Sequence, residues 1–419
     1  MADKKIKVLT ISDHPLLPSG VGTQTKYVID ALVDSGKFQV VSLGGAVKHE
    51  VFDPIKPRED WVIFPVDGYG TQQDVIQHIN QFQPDILYFM TDPRFYEWLW
   101  MIEDSIRPNV PMIYYHVWDN YPYPQYNKAS YDSNDFIATI SKVTSDIVQT
   151  VSPDVEEEYV PHAVDSSVFQ SLPEDIVLQN RNNIVPGKEF VCFWNNRNAR
   201  RKQSGTLVHW WKDFLDQEHI DESTASLVMH TSLQDPHGQP LHHLAEILKL
   251  NDDHDKQIVF STEKVAPPQL AALYNLADCT INIADAEGFG LATLESLSCE
   301  TPIIVTMTGG LQEQVTDGEN WFGVGLEPAS KVVIGSQQVP YIHEDRVSRE
   351  DFLAALNKMY AMSKEEREDL GKKGRQHVEK NYNFTKFNEQ WVSIMERVHR
   401  DMGSWDNRKG YTAWKMETL

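Results

Sequence analysis

The chain has 419 residues, of which 41% are hydrophobic and 24% charged, and carries a formal charge of −23. That length exceeds one ordinary core and points to two domains of comparable size, and the composition excludes extended disorder except at the tails. The acidity excludes a broad polyanion-binding face, because nucleic-acid binding relies on Lys and Arg neutralising phosphates, so any phosphate site must be local, built from a few cations and backbone N–H groups.

In chain order, Ile6 to Ile11 reads as a first strand. A Gly-containing turn at 19–22 and a helix from about Thr23 to Ser35 follow it. Strands are predicted at Gln39 to Leu43, Trp61 to Pro65, Ile86 to Met90, Met112 to His116 and Phe136 to Ile140, with helices at Gln72 to Phe82 and Ser141 to Val151. This is the βαβ rhythm of a doubly wound parallel sheet. Gln170 to Gly187 is polar, contains Pro173 and Pro186, and reads as a connection.

The rhythm then restarts with strands at Phe190 to Trp194, Ala225 to His230, Ile258 to Ser261, Cys279 to Ile283 and Pro302 to Val305. Helices fit Pro268 to Leu276, Leu291 to Ser298 and Arg349 to Met362. KVVIGSQQVPYI, inside 330–347, reads as a hairpin inserted into this rhythm. From Phe384 the tail is helical and then polar. Cys192, Cys279 and Cys299 lack metal-ligand spacing and read as reduced core thiols. The first residues, MADKKIKVLTIS, have no apolar signal core, and no stretch reaches the length of a membrane span, so a soluble cytoplasmic protein without an integral membrane part is expected.

The most informative string is AEGFGLATLESLSCETP, Ala286 to Pro302. It leaves an apolar strand, turns on Gly288 and Gly290 and opens a helix near Leu291. A helix start with exposed N–H groups favours an anion, and glycine lets the backbone approach a ligand closely. Glu287 stands at the turn and Glu295 eight residues later in the helix. A lone carboxylate more often caps a helix or pairs on the surface, so it is the whole string that carries weight. It resembles the E-x7-E signature of family four retaining glycosyltransferases. The resemblance implies the GT-B fold, two facing Rossmann-like domains with a cleft between them and a C-terminal helix crossing back to the first domain. It also implies that Glu287 touches the donor sugar, that Glu295 binds the nucleotide ribose, and that the backbone of Gly288, Phe289, Gly290 and Leu291 faces the diphosphate and sugar.

The other motifs are read beside it. WNNRNARRK follows the first strand of the second half, and Arg197 and Lys202 are similar to the family's R-x4-K pair that clamps the donor diphosphate. Gln203 stands where the family usually has Gly, and Arg200 and Arg201 crowd the same turn. Gly20 and Gly22 in PSGVGT resemble the family's Gly-rich first loop, and His116 in MIYYHVWDN resembles its sugar-contacting histidine. Asp119, Tyr121 and Tyr123 lie in an aromatic-rich stretch and are acceptor-site candidates. The backbone near Lys264 and Val265, in a segment similar to the family's base-cradling loop, is the candidate base contact. VPHAVDSSVF resembles the family's domain junction, so residues 1–168 are expected to form the acceptor domain, 169–394 the donor domain, and 395–419 to pack back on the first.

The resemblance implies a metal-independent hexosyltransferase acting with retention of anomeric configuration. Its co-substrate would be a nucleotide diphosphate sugar, with UDP, GDP and ADP all open, and no further cofactor is expected. The acceptor would be a hydroxyl of a sugar, polyol, glycan or lipid-linked molecule; no nucleic-acid partner is expected, and the oligomeric state is left open. A sugar-nucleotide epimerase or phosphorylase on the same fold, and a non-catalytic sugar-nucleotide-binding protein, are the alternatives.

Overall fold

The computed structural model describes residues 4–17, 19–120, 123–250, 255–337 and 339–411. The chain divides into two compact units: Met1–Trp118 with Tyr123–Ala163 and Phe384–Leu419, and Asp119–Pro122 with Val164–Asn383.

The first unit is built on strands β1 (Ile6–Asp13), β2 (Phe38–Gly45), β3 (Ile55–Arg58), β4 (Trp61–Pro65), β5 (Ile86–Met90), β6 (Met112–His116), β7 (Phe136–Thr139) and β8 (Glu156–Tyr159). They form one sheet in the order β3-β4-β2-β1-β5-β6-β7-β8, parallel except for the antiparallel edge pair β3 and β4. The central strands β5, β6 and β7 are buried at every residue, as parallel strands covered on both faces must be. The two edges lacked such a signal: β3 is largely exposed and β8 is the acidic run EEEY.

The first helix, Gly20–Asp34, begins three residues before the sequence-based start. Ser19 turns out to be its N-cap, with its hydroxyl oxygen accepting from the Gly22 N–H at 2.9 Å. The helix Phe384–Met402 belongs to this unit as one continuous amphipathic rod burying Phe387, Trp391, Ile394, Met395 and Val398. Phe384 meets Tyr27 edge-on at 4.6 Å, and Trp391 meets Tyr88 and Tyr115 at 5.4 and 4.9 Å. The compact units change over at 163–164 and 383–384, beside the 168 and 395 expected from the sequence, and the apolar stripe of this helix starts with the helix itself.

The second unit holds β9 (Phe190–Asn195), β10 (Ala225–His230), β11 (Ile258–Ser261), β12 (Cys279–Asn282), β13 (Ile303–Thr306) and β14 (Gly323–Leu326). All pairs are parallel and the order is β11-β10-β9-β12-β13-β14. Counted within the unit this is 3-2-1-4-5-6, the Rossmann order, in which the order of succession of the parallel strands reverses between β9 and β12. Trp194, Trp211, Phe214, Ile281 and Phe352 anchor a core cluster, and all three cysteines are buried and free.

One departure from the sequence reading stands out here. Glu174–Ile184 is a helix, where the sequence reads as a connection: it buries no residue, so it shows no apolar periodicity, yet Pro173 precedes it and Glu174 and Asp175 suit its first turn. The inserted segment forms the antiparallel pair β15 (Ser330–Ile334) and β16 (Ile342–Arg346), a separate two-stranded sheet. Among the described residues no helix is long and apolar enough to cross a membrane.

Candidate active site

Open parallel sheets gather ligands outside the carboxyl ends of the strands where the order reverses. In the second unit that point lies between β9 and β12, so the segments leaving these two strands, 196–203 and 283–290, meet there. Their closest encounter joins residues 85 apart: the Lys202 ammonium donates to the Glu287 carboxylate. Both side chains are nearly buried. Burial and the Arg201 guanidinium pull the Lys202 pKa down, whereas the Asp119 carboxylate raises it. The net direction is well below the ordinary lysine value, with burial the largest cause. The Asn282 side-chain amide donates to the same Glu287 oxygen at 3.5 Å.

The turn that follows is fixed from one side. The Glu287 carbonyl accepts from the Gly310 N–H at 3.2 Å, the Phe289 carbonyl from the Gln314 amide at 2.7 Å, and the Gly290 carbonyl from the Thr293 hydroxyl at 2.8 Å. Gly290 takes φ +92°, and a Cβ there would lie 2.5 Å from Leu311. The helix Leu291–Ser298 then starts with no side chain capping it, unlike the Ser19- and Ser141-capped helices of the first unit. Leu291 and Ala292 are partly exposed there. An uncapped start with its carbonyls tied behind it presents N–H groups and the positive end of the helix dipole.

Glu295 lies one face along that helix. It accepts from the Tyr274 hydroxyl at 2.8 Å, and that hydroxyl in turn accepts from the Asn195 side chain at 2.8 Å. Burial pushes the Glu295 carboxyl up to about 7, with the Tyr274 hydrogen bond opposing the rise.

Arg197 is engaged away from the Glu287 turn. Its guanidinium grips Asp235, Nε to Oδ2 at 2.5 Å and Nη2 to Oδ1 at 3.2 Å, on an exposed side chain. The cation that joins Lys202 at the Glu287 turn is Arg201, which donates to the Ala286 carbonyl at 2.6 Å. The physical reason is the 3-10 turn Arg200–Lys202, which puts Arg201 and Lys202 toward β12 and leaves Arg197 before the turn, beside the loop carrying Asp235.

Asp119 also moved: it belongs to the second unit, close enough to Lys202 to raise its pKa, and 3.6 Å from where a Cβ on Gly309 would stand. Tyr123 is half-buried, and Tyr121 lies outside the described residues. Val265 sits in the partly exposed loop between β11 and the helix Pro267–Asn275.

In the first unit, Gly20 and Gly22 open the helix at that sheet's own reversal point, between β1 and β5. A Cβ on Gly22 would lie 2.8 Å from the His14 carbonyl, so glycine is required there by packing. His116 ends β6, fully buried, with Nε2 2.7 Å from the Tyr131 hydroxyl and Nδ1 without a hydrogen-bond partner. Burial lowers its pKa to about 3, so the imidazole is neutral at physiological pH. Its carbonyl accepts from the Ile140 N–H at a long 3.4 Å. Of the aromatic stretch, Tyr96, Trp100, Trp118 and Tyr131 are core side chains.

The sequence reading missed Gly309, Gly310, Tyr274 and Asp285. A Cβ on Gly309 would meet the Glu287 carbonyl at 1.9 Å and one on Gly310 the Phe289 Cα at 2.7 Å, so this pair forms the floor of the turn. Its signal was legible: two adjacent glycines two residues after an apolar strand. Among the described residues no group of three or more His, Cys, Asp or Glu side chains is placed to hold a metal ion.

Residues 179–377 match the family model described as glycosyl transferases group 1, a span containing Arg197, Lys202, Glu287 and Glu295. That span, a little under half of the chain, is similar to the group 1 glycosyl transferases. The chain is similar to D-inositol 3-phosphate glycosyltransferase of Acidothermus cellulolyticus, 29% identical over 174 residues, which is 41% of this chain and 37% of that protein. It is similar to trehalose synthase of Pyrococcus horikoshii, 26% identical over 196 residues, 45% of this chain and 41% of that one. The chain thus spans about two fifths of the length of these curated relatives. Among solved structures, sucrose-phosphate synthase from Thermosynechococcus elongatus is similar with a TM-score of 0.72 at 15% identity, over 95% of this chain and 100% of that chain. This likeness shows the fold, GT-B, with one Rossmann-like sheet in each unit. The matched span lies in the second unit.

Proposed function

We propose that this protein is a retaining glycosyltransferase that moves a hexose from a nucleotide diphosphate sugar to a hydroxyl acceptor, without a metal cofactor. One observation carries the reading: the Lys202 ammonium and the Glu287 carboxylate meet at the uncapped start of the helix Leu291–Ser298, inside the group 1 glycosyl transferase segment.

In the reaction the bond from the sugar C1 to the diphosphate oxygen breaks and negative charge gathers on the leaving diphosphate. Lys202, Arg201 and the N–H groups at Leu291 and Ala292 stabilise that charge, preorganised in a site where little has to rearrange. This supplies the neutralisation a divalent cation supplies elsewhere. Glu287 turns to the sugar hydroxyls while Lys202 turns to phosphate. The acceptor hydroxyl bonds to C1 on the face the diphosphate leaves, and its proton passes to the departing phosphate oxygen. Glu295, oriented by Tyr274, takes the ribose hydroxyls, and the backbone near Val265 takes the base, with UDP, GDP and ADP as the candidates. Gly20, Gly22 and His116 remain candidates within the first unit; Asp119, Tyr121 and Tyr123 are the acceptor candidates. Arg197 is an outer cation, since Asp235 already engages it. Three free buried cysteines support a reducing, cytoplasmic setting.

A thermal-shift panel of UDP, GDP, ADP and their hexose derivatives, in EDTA, tests this reading. One nucleotide series should raise Tm by mass action, and its sugar should be transferred with retention in EDTA. Binding without transfer or hydrolysis to any hydroxyl acceptor would leave a sugar-nucleotide-binding protein instead, and no stabilisation by any of them would refute the donor site.

A further inference from the structure

The turn that carries Lys202 has an unusual support. Gln203, which ends it, takes the left-handed φ of +55°, a conformation glycine adopts without strain and glutamine does not. Its side chain is held at both ends: the amide donates to Asp285 at 2.7 Å, and the carbonyl oxygen accepts from the Thr206 hydroxyl at 2.6 Å.

Asp285 ties this turn to the inserted hairpin. Its N–H donates to the Arg201 carbonyl at 2.8 Å, and its own carbonyl accepts from the Asp345 N–H of β16 at 2.9 Å. Its carboxylate pairs with Arg346 of β16 at 2.7 Å. A second tie runs through Glu344, a buried carboxylate that takes Arg200 in a fork, at 2.8 and 2.6 Å, and also accepts from Arg346 at 2.9 Å. The hairpin therefore reaches Arg200, Arg201 and Gln203 through two adjacent acidic groups, while Lys202 between them points to Glu287. A surface hairpin of this size has no need of a buried carboxylate shared by two arginines for its own pairing, which its ladder supplies.

We propose that the 330–346 hairpin is a positioning strap for the cationic turn, with Glu344 and Asp285 as positioning residues that fix Lys202 against Glu287. The inference rests on the donor-site reading above, and it joins the hairpin inserted into the βαβ rhythm and Gln203, which stands where the family usually has Gly, as two ends of one network.

The test is calorimetric titration of the wild type with UDP, GDP and ADP in turn, followed by variants with the nucleotide that binds. Glu344→Gln breaks one arm of the fork and Arg346→Met cuts the link to Asp285. Each should weaken nucleotide binding and lower kcat/KM by roughly tenfold, the scale on which misplacing a positioned group is felt, with Tm changed by only a few degrees. Because the strap acts through Lys202, adding Glu344→Gln to Lys202→Ala should produce no further loss of affinity. Additive losses, or Glu344→Gln and Arg346→Met binding within twofold of wild type while Lys202→Ala is impaired, would overturn the strap alone. Unchanged binding in both Lys202→Ala and Glu287→Ala would overturn the donor site and the strap with it. Should Glu344→Gln fail to fold, Arg346→Met decides on the same terms.

Discussion

The Tyr274 hydroxyl donates to the Glu295 carboxylate at 2.8 Å while accepting from Asn195 at 2.8 Å, so a strand end, a helix and a second helix converge on one acid. The acid is half-buried, and that burial holds its pKa near 7.

The first prediction is a pH dependence of donor binding. An ionised Glu295 accepts ribose hydroxyls more strongly than a protonated one. The donor KM should therefore fall several-fold as pH rises from 6 to 8, and Glu295→Gln should abolish that change. Stability runs the other way. With a folded pKa of about 7 against an ordinary 4.5, the native state binds more protons in that window, and its stability falls as pH rises through it. Glu295→Gln should flatten this slope in thermal melts between pH 4.5 and 7.5; a KM profile identical to wild type would contradict the ribose role.

Two glycines with left-handed backbones make a controlled comparison. Gly36 has φ +74° and nothing within 4 Å of an added Cβ, so Gly36→Ala should cost only the backbone strain, about 1–2 kcal/mol, and leave turnover intact. Gly309 has φ +48°, and its Cβ would meet the Glu287 carbonyl at 1.9 Å. Gly309→Ala should be more destabilising in denaturant titration and should also cut turnover by tenfold or more, because it displaces the turn between Glu287 and Gly290. Equal effects of the two substitutions on turnover would show that the turn tolerates displacement.

Acid should weaken the first unit. His116 and His162 are buried, with pKa values lowered by burial to about 3. Since both ordinarily titrate near 6.5, the unfolded chain takes up protons that the native one refuses. Stability is then complete above pH 6.5 and is lost as pH falls toward 3, by an amount on the order of a few kcal/mol per histidine. Thermal melts from pH 7 to 4.5 should show Tm falling, and His116→Gln, which keeps a polar partner for Tyr131, should reduce the slope. An unchanged slope would mean that His116 is protonated in the native state. No inflection of activity between pH 5 and 8 should trace to His116.

Much of this fold is legible in the chain because its central strands are covered on both faces and so read as apolar runs, as in ILYFM and MIYYH. Segments whose burial is one-sided or absent are not. The EEEY edge strand and the Glu174–Ile184 helix carry no apolar periodicity, and only pairing or capping reveals them. At the site, local geometry was readable: Gly288 and Gly290 announced an open helix start, with Glu287 at the turn before it and Glu295 inside the helix. Which of the two cations reaches Glu287 was not readable, since it depends on a 3-10 turn that carries Lys202 in, while Arg197, before that turn, pairs with Asp235. The support by Gly309, Tyr274 and the hairpin was equally hidden, because each contact joins segments brought together only by strand order.

The order of importance of the cations carries the central claim. Calorimetric titration of the preferred nucleoside diphosphate into Lys202→Ala and Arg197→Ala, in EDTA, measures it directly. Loss of a hydrogen bond to a charged group is worth about 1.5–3 kcal/mol, so Lys202→Ala should bind roughly ten- to hundredfold more weakly, and Arg197→Ala, already engaged by Asp235, only a few-fold. Lys202→Ala binding within twofold of wild type would contradict a diphosphate site built on Lys202, Glu287 and the start of the helix at Leu291.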